Sequence, residues 1–384
     1  MKVVCDRGAL LEAVNLVAPV VAVRSPRPQL SCVKLSAVRG DGGGELRLAA
    51  TDADVSISLS TAHVDVQREG EALAPADKLR QIVQAEDAED HLTLETTGES
   101  ALEIRGQDAK FTVYGFPPEE FPPAASFPSD RGEIVLEAGE LQGLISRTLF
   151  ATSKESSRYA INGVLVNVEG KKIELVATDG RRLALASGSV VENKAEKRVS
   201  AIIPTKALTQ VAKLLGDPSE RVRLALTENQ AVFALGEAGE APRAVLSGSL
   251  VEGAFPPYQD VIPKDQDKKA TFEVSSLTSA VRRAALLTNE ESRGVRLRIA
   301  RSGSDATLHL SSRAPEMGEA SIDLAVPSYE GEEIEIGFNP QFITDALRVV
   351  DEPQVVVELK APNRPGVFRC GSDFTYVVMP VNLQ

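Results

Sequence analysis

The chain has 384 residues, of which 43% are hydrophobic and 25% are charged, and this composition excludes a wholly disordered protein. Aromatic residues make up only 4% of the chain and tryptophan is absent, so a groove that stacks bases or sugars on aromatic rings is not expected. The formal net charge of −13 argues at first sight against a nucleic-acid partner, because proteins that bind phosphates usually carry an excess of basic residues.

Six amphipathic segments are predicted helices. In chain order they span 9–22, 76–84, 140–152, 205–215, 276–288 and 341–350. The helices form two alternating sets, and each set has an equivalent residue near the helix start. The first, third and fifth contain equivalent leucines, which are Leu10, Leu141 and Leu277. The second, fourth and sixth follow or include equivalent prolines, which are Pro75, Pro204 and Pro340. The prolines are 129 and 136 residues apart, and such regular spacing predicts a unit repeated three times.

Runs of alternating apolar and polar residues between the helices predict strands with one face packed in the protein and the other exposed to solvent. The clearest runs are 45–50, 55–60, 172–177, 222–226, 307–312 and 355–359. The glycine-rich segment 41–44 is interpreted as a hairpin loop, because no Lys-Ser/Thr pair or helix follows it as in a phosphate-binding loop.

Two proline-rich segments, 115–130 and 253–268, are predicted linkers, since proline is excluded from helix interiors and central strands. They divide the chain into predicted domains at 1–125, 131–254 and 255–384. Each domain is expected to contain two helices packed on antiparallel strands, so the predicted fold class is α+β.

The basic charge is concentrated on the predicted helices, which carry eight basic residues against four acidic ones. The acidic residues are Glu12, Asp77, Glu140 and Asp345. The basic residues are Lys78, Arg80, Arg147, Lys206, Lys213, Arg282, Arg283 and Arg348. If the helices share one surface, that surface is positive and suits nucleic acid. The alternative is that these are ordinary solvated helix faces.

Motifs for catalysis, metal binding or phosphate binding are not found in the sequence. The acidic candidates are Asp52, Asp54 and Asp179, but Thr51-Asp52 and Thr178-Asp179 occupy repeat-related positions. A turn in which these side chains bond the backbone explains both positions better than a duplicated active site. Three dispersed cysteines and three dispersed histidines favour a reducing compartment and disfavour a metal site. The apolar stretch 13–23 is too short to span a membrane. We therefore expect a cytoplasmic, non-enzymatic protein without cofactor or metal.

The last residues are apolar almost to the end of the chain. Tyr376–Val378 is predicted to be a final strand that closes its own domain. Pro380 stops strand pairing, so the residues after the strand, Met379, Val381 and Leu383, are expected to form an apolar surface for a partner peptide.

Six segments in order along the whole chain identify a resemblance. They are Arg158–Gly163, Val176–Ala184, Phe255–Tyr258, Asn289–Leu297, Ile336–Asn339 and Tyr376–Pro380. With them, the chain resembles the bacterial DNA polymerase III β subunit (β sliding clamp) family. The resemblance implies three similar domains, a head-to-tail homodimeric ring with helices lining the hole, and a role as processivity factor on duplex DNA. It implies sequence-independent contacts with DNA, and partners that include the replicative polymerase, the clamp loader and other proteins with clamp-binding motifs.

The resemblance also assigns residues to sites. The implied peptide pocket consists of Ile161, Thr178, Gly180, Arg181, Arg182, Leu183, Pro256, Val261, Asn339, Phe342, Val377, Val378, Met379, Pro380 and Val381. DNA contacts beyond those on the helices would come from Arg24, Lys154, Arg158 and Tyr159, with Lys206 shared by both sets. Ring closure would use Leu286 and Leu287. The stem of Arg182 is expected to cover apolar surface while its charged head stays in water.

Four positions depart from the family pattern. Arg181 replaces a residue that is often histidine, and Asp260 stands where arginine is common. Asn382 replaces a basic residue, and Ala160 follows Tyr159 where a second aromatic residue occurs in other members. An alternative function is a β-rich repeat adaptor that binds peptides but no DNA. The basic helices favour the clamp, because an adaptor has no need of them.

Overall fold

The computed structural model describes residues 1–40, 43–98, 100–128, 132–153, 155, 159–195, 197–237, 240–288, 294–303, 305–315 and 317–382. Within these ranges the chain forms six α-helices, as predicted. They are α1 (Arg7–Val17), α2 (Ala76–Ala85), α3 (Ala138–Leu149), α4 (Thr205–Leu214), α5 (Val274–Ala285) and α6 (Pro340–Leu347).

Twenty-six strands lie in the described part of the chain. The first thirteen are β1 (Lys2–Asp6), β2 (Cys32–Gly40), β3 (Gly43–Thr51), β4 (Val55–Arg68), β5 (Gly70–Pro75), β6 (His91–Thr97), β7 (Ala101–Arg105), β8 (Lys110–Tyr114), β9 (Glu133–Glu137), β10 (Gly163–Glu169), β11 (Lys172–Thr178), β12 (Arg182–Ser189) and β13 (Glu192–Asn193). The others are β14 (Val199–Pro204), β15 (Arg221–Leu226), β16 (Gln230–Leu235), β17 (Ala244–Ser249), β18 (Lys268–Glu273), β19 (Val295–Ser302), β20 (Asp305–Ala314), β21 (Gly318–Val326), β22 (Ser328–Glu330), β23 (Ile334–Phe338), β24 (Gln354–Leu359), β25 (Gly366–Cys370) and β26 (Phe374–Val378).

The helix ends have identifiable local causes. Helix α1 begins after Asp6, whose Oδ1 accepts a hydrogen bond from the Ala9 N–H at 2.7 Å. It ends at Val17 and not at residue 22 as predicted, because Pro19 cannot continue an α-helix and the chain turns into a 3-10 helix over Ala18–Val20. Helix α6 begins at Pro340 and is capped by Asn339, whose Oδ1 accepts from the Gln341 N–H.

The described chain divides into two compact units. The first unit comprises Met1–Gln142 and Val190–Leu250. Its large antiparallel sheet has the strand order β13-β9-β15-β16-β17-β4-β1-β6-β7-β8, and β3, β2 and β5 continue from β4. Helix α1 packs on β4 beside α2 and buries Leu10, Val14 and Val17. This amphipathic packing is what the helical spacing of the sequence predicts.

The second unit comprises Gly143–Ser189 and Val251–Gln384. Eight of its strands pair in the order β10-β11-β12-β26-β25-β24-β18-β22, and four others in the order β21-β20-β19-β23. Helices α5 and α6 pack side by side, and α5 also contacts β20 and β21. Strand β20 alternates as predicted, with Leu308 and Leu310 buried.

The predicted linkers contain no α-helix in their described residues, and only short 3-10 helices at Pro118–Glu120 and Tyr258–Asp260 interrupt their irregular course. The first is nevertheless well packed, since Phe121 lies against Cys32 and Leu73 and Phe127 lies against Val232. The predicted loop at 41–44 joins the paired strands β2 and β3, but residues 41 and 42 lie outside the described ranges. No helix within the described ranges has the length and hydropathy that crossing a membrane requires.

Candidate peptide-binding site and basic helix residues

The same turn occurs once in each unit, at Thr51–Val55 and at Thr178–Arg182. In the first turn, the Asp52 carboxylate accepts hydrogen bonds from the N–H groups of Asp54 and Val55, at 3.0 and 2.7 Å. In the second, the Asp179 carboxylate accepts from Arg181 and Arg182, at 2.9 and 3.1 Å. These contacts confirm the prediction that the two Thr-Asp pairs form backbone-bonding turns.

The second turn lies beside the end of the chain. Strand β12 pairs with β26, so that Arg182 faces Val378 and Leu183 faces Val377. The Met379 N–H then donates to the Arg181 carbonyl at 2.9 Å, and the Val381 N–H donates to the Gly337 carbonyl at 2.9 Å. Tyr376–Val378 is a strand as predicted, but it does not only close its own predicted domain, because it pairs on one side with β25 and on the other with β12 of the predicted central domain. The residues after it are held between the turn and the end of β23.

Arg182 lies at the centre of this site. Its guanidinium was predicted to stay in water, but it binds groups within the protein. Its Nε donates to Asp179 Oδ2 at 3.0 Å, its Nη1 to Asp345 Oδ2 at 2.7 Å and its Nη2 to the Phe150 carbonyl at 2.8 Å. The side chain is only 11% exposed. The prediction was wrong because two carboxylates and a carbonyl oxygen replace the water that the charged head would otherwise need.

Aromatic rings and a phenol complete the surroundings of this guanidinium. Its Cζ lies 4.4 Å from the centre of the Phe342 ring and 5.4 Å from that of Phe150. The Tyr376 hydroxyl donates to the Phe342 carbonyl at 3.0 Å. Burial by itself would lower the pKa of Arg182, but Tyr376, Asp345 and Asp179 together raise it above its ordinary value. Burial raises the pKa of Tyr376. Arg182 is thus a permanently charged structural cation.

The predicted pocket residues differ in their exposure. The buried ones are Ile161, Thr178, Leu183, Val377 and Val378. The half-buried ones are Arg182, Pro256, Asn339, Phe342, Pro380 and Val381, and the exposed ones are Gly180, Arg181, Val261 and Met379. Buried strand residues below half-buried and exposed apolar side chains form a surface onto which an apolar peptide side chain can dock.

Three predicted pocket residues are positioned by other segments. Ile161 accepts a backbone hydrogen bond from Ser153, and the neighbouring Ala160 donates to the Ala254 carbonyl. Pro256 and Val261 flank Tyr258, which is buried and lies within hydrogen-bond distance of Asn167 on β10. Among the described contacts, Tyr258 thus joins the segment that contains Pro256 and Val261 to β10.

Three residues of this site were missed by the sequence prediction. Phe150 and Tyr376 surround the Arg182 guanidinium, and Asp345 binds it. Asp345 is one of the four acidic residues in the charge count of the predicted helices, but it is buried and also accepts from Gln341 at 2.6 Å. A carboxylate within the apolar run of α6, next to Ile343 and Ala346, is the signal that could have indicated a buried partner.

Most of the predicted basic helix residues are exposed. Within the described part of the chain, no carboxylate lies in salt-bridge range of five of them, which are Lys78, Arg80, Lys213, Arg282 and Arg283. Arg348 follows α6 directly and is exposed, 4.0 Å from Asp345. The helices thus present positive charge although the protein is acidic overall.

Two basic helix residues form ion pairs instead. Arg147 lies 3.7 Å from Glu352 and is mostly buried, and Lys206 donates to Asp52 and to the Val20 carbonyl. Arg24 is exposed in the irregular segment between two 3-10 helices, and Tyr159 is exposed before β10. The predicted DNA contacts Lys154 and Arg158 lie outside the described residues.

The residues predicted for ring closure follow α5. Leu286 is 73% exposed, which is unusual for a leucine, and Leu287 is half-buried beside Gly318 at the start of β21. A large exposed apolar side chain at this position is what a contact surface for another chain would present.

Comparisons with known proteins cover the whole chain. The family descriptions "DNA polymerase III beta subunit, N-terminal domain", "central domain" and "C-terminal domain" match residues 1–125, 135–257 and 259–382. The chain is 34% identical over 382 residues to the beta sliding clamp of Pseudomonas putida, with 98% of this chain and 99% of that protein covered. The chain belongs to the beta sliding clamp family.

Other relatives agree with this assignment. The beta sliding clamp of Escherichia coli is 28% identical over the full length of both chains. Among solved structures, a Pseudomonas aeruginosa sliding clamp bound to griselimycin matches with a TM-score of 0.88 and 31% identity, and a Bacillus subtilis sliding clamp with 0.88 and 26%, each over the full length of both chains. The fold is therefore the three-domain clamp fold, α+β with antiparallel sheets, as predicted.

The family determines the class of function. A beta sliding clamp is a non-catalytic processivity factor of DNA polymerase III, and the full-length relatives support that function for this chain. The prediction that the chain is not an enzyme is confirmed. The family implies DNA and the polymerase as partners.

Proposed function

We propose that two copies of the chain close head to tail into a ring that encircles duplex DNA and tethers the replicative polymerase, the clamp loader and other clamp-binding proteins. The observation that carries this proposal is the exposed positive charge on the helices of a clamp-family chain whose net charge is −13. The location that fits this role is the bacterial cytoplasm, and the domain boundaries that we propose are 1–125, 131–254 and 255–384.

The proposed DNA contacts are with phosphates and carry no sequence information. They comprise the helix residues Lys78, Arg80, Arg147, Lys206, Lys213, Arg282, Arg283 and Arg348, together with Arg24, Lys154, Arg158 and Tyr159. Arg147 and Lys206 each have a carboxylate neighbour, so we expect them to contribute less than the five helix cations without one. Weak, dispersed contacts suit a ring that slides, because closure itself retains the protein on DNA.

Ring closure is proposed to join two sheet edges. Strand β8 ends the sheet of the first unit and pairs only with β7 among the described strands, and its Tyr114 is 81% exposed. Strand β21 ends a sheet of the second unit, and Leu287, the residue after the exposed Leu286, lies beside Gly318 at its start. Open edges with unpaired backbone groups readily pair with another chain. A contact between β8 of one copy and β21 of another is heterologous, and two such contacts close a dimer.

The proposed peptide pocket receives a short segment of each partner protein, with apolar side chains as its anchors. It comprises the fifteen residues named above from Ile161 to Val381. Support comes from the half-buried and exposed apolar side chains of Phe342, Met379 and Val381 around the β12–β26 pair.

Three measurements test this function. Sedimentation equilibrium at micromolar concentration should give twice the chain mass, and a monomer would contradict ring closure. With its cognate polymerase and clamp loader on primed circular DNA, the protein should lengthen the extension products. Deletion of Met379–Gln384 should remove this effect and the binding of a partner peptide but leave the dimer mass unchanged. Peptide binding without any effect on DNA synthesis would favour an adaptor.

A further inference from the structure

We propose that Arg181 is the residue that makes the peptide pocket prefer an acidic side chain in the docked segment, and that the neighbouring Arg182 cannot do this. This inference deepens the proposed function and rests on it. The pocket contains two consecutive arginines, and the structure assigns them different roles.

The guanidinium of Arg182 already binds groups within the protein. Its Nε, Nη1 and Nη2 donate to Asp179, Asp345 and the Phe150 carbonyl, and its Cζ lies within 5.4 Å of the centres of two aromatic rings. Two carboxylates more than neutralise its single charge. A peptide carboxylate would have to displace one of them from a site that is nearly closed to water, so Arg182 offers little attraction to an acidic ligand.

Arg181 has a fixed backbone and an exposed side chain. Its N–H donates to Asp179 Oδ1 and its carbonyl accepts from the Met379 N–H, each at 2.9 Å. Within the described residues, no carboxylate lies in salt-bridge range of its guanidinium. The backbone is thus anchored at the apolar chain end, while the charge is available to a ligand.

The space next to Arg181 is open. Gly180 has a φ of 85°, and a Cβ atom built on it would meet no atom within 4 Å beyond its two neighbours in the chain. A peptide backbone can therefore approach this turn closely. The occupant that fits is an extended segment whose apolar side chains dock near Met379 and Phe342 and whose carboxylate reaches Arg181.

The repeat provides an internal control for this interpretation. In the equivalent turn of the first unit, Asp54 occupies the position of Arg181, and its carbonyl likewise accepts from Ser249 at 2.8 Å. The turn and its backbone bond therefore form without arginine. Gly248, the counterpart of Val378, lies so close to Ala207 that a Cβ there would be 2.8 Å away. Of these two turns, only the one beside the apolar chain end has an arginine at this position. Arg181 is therefore not needed to form the turn.

The test uses synthetic heptapeptides that share the same apolar anchor residues. One Asp is moved through the remaining positions, and each Asp peptide has an Asn counterpart. Fluorescence anisotropy measures the Kd of each pair for the full-length protein. At one position or more, the Asp peptide should bind the natural protein roughly two- to fivefold more tightly than its Asn counterpart. Arg181→Gln should remove this preference, so that each Asp peptide binds no more tightly than its Asn counterpart.

A control variant separates the alternatives. Arg313→Gln, which removes an exposed arginine on β20, should keep the preference. A preference that survives in Arg181→Gln overturns the inference. If the natural protein binds Asp and Asn peptides equally, the inference about Arg181 fails while the pocket stands. If it binds no peptide, the pocket fails and the inference with it.

Discussion

Arg182 Nη1 lies 2.7 Å from Asp345 Oδ2, although 163 residues separate these two residues in the sequence. Their side chains are 11% and 12% exposed, so the ion pair is nearly shielded from water. It joins the first residue of β12 to the buried side of α6. Because Arg182 also stacks on Phe342, the same contact fixes one apolar wall of the proposed peptide pocket.

Loss of this ion pair should destabilise the protein. We expect Asp345→Asn to lower the free energy of unfolding by about 2–4 kcal/mol, because the Arg182 charge stays buried with one of its carboxylates removed. Urea unfolding monitored by circular dichroism at fixed protein concentration measures this change.

A matched control comes from an exposed ion pair of the same unit. Arg296 and Glu335 are 2.7 Å apart, but their side chains are 43% and 46% exposed. Glu335→Gln should therefore change the free energy of unfolding by less than about 1 kcal/mol. If both substitutions lowered the free energy of unfolding equally, a larger contribution of the buried ion pair to stability would be contradicted.

The repeated turn allows a pair of opposite substitutions. Ala53 has a φ of 83° and Gly180 a φ of 85° at equivalent positions. Left-handed backbone costs alanine about 1–2 kcal/mol, partly offset by the greater freedom of glycine in the unfolded chain. Ala53→Gly should thus raise the free energy of unfolding by about 0.5–1 kcal/mol and Gly180→Ala should lower it by a similar amount. Chemical denaturation of both variants checks this, and changes of the same sign would contradict a shared turn conformation.

The arginines at the end of α5 should contribute to DNA affinity in a salt-dependent way. Replacing both Arg282 and Arg283 by glutamine should lower the slope of log K against log salt by about 2, or about 1 for each lost phosphate contact. Fluorescence anisotropy with duplex DNA over a range of salt concentrations gives the slope.

The control for this charge change uses the arginines of β19. Arg296 and Arg298 pair with Glu335 and Glu333 and are not on a helix. Replacing both by glutamine removes the same charge and should leave the slope unchanged. If this control lowered the slope as much as the replacement of Arg282 and Arg283, DNA contact by the helices would be contradicted.

The buried thiols predict loss of stability at alkaline pH. Burial raises the pKa of Cys5 and Cys370 to about 12 and that of Cys32 to about 11. In the unfolded chain these thiols ionise near pH 8.5, so from there to about pH 11 the unfolded state loses protons that the folded state keeps. The free energy of unfolding should fall by up to about 1.4 kcal/mol per pH unit for each thiol.

Urea unfolding at pH 8, 9 and 10 measures this fall. Replacing all three cysteines by alanine should make it shallower, at some cost in packing at pH 8. The native thiols should also resist alkylation at pH 8 until urea is added. Rapid labelling of all three in the native protein would contradict their burial.

The sequence predicted those features that depend on local pattern. Leucines at helical spacing and prolines at helix starts predicted all six helices. The alternation of apolar and polar residues predicted strands such as β20. Pro19 shows the limit of this approach, because an apolar run alone suggested that α1 continues to residue 22. The local rule that proline ends a helix was present in the sequence but was outweighed by hydrophobicity.

The parts of the site that were not predicted depend on contacts between distant segments. Arg182 was expected to reach water, and Asp345 was assigned to a helix surface, because neither residue type is usually buried. Only the fold brings these two charges within hydrogen-bond distance. The pairing of β12 with β26 is equally non-local, and the family resemblance indicated it where periodicity could not.

The central claim is that the protein stays on DNA by encircling it. The most direct test loads the labelled protein onto nicked circular DNA with its cognate clamp loader, cuts the circle once and measures the protein that remains bound after gel filtration. We predict retention on the circle and loss from the linear product, because a closed ring can slide off an open end. Equal retention on both forms of DNA would contradict topological binding.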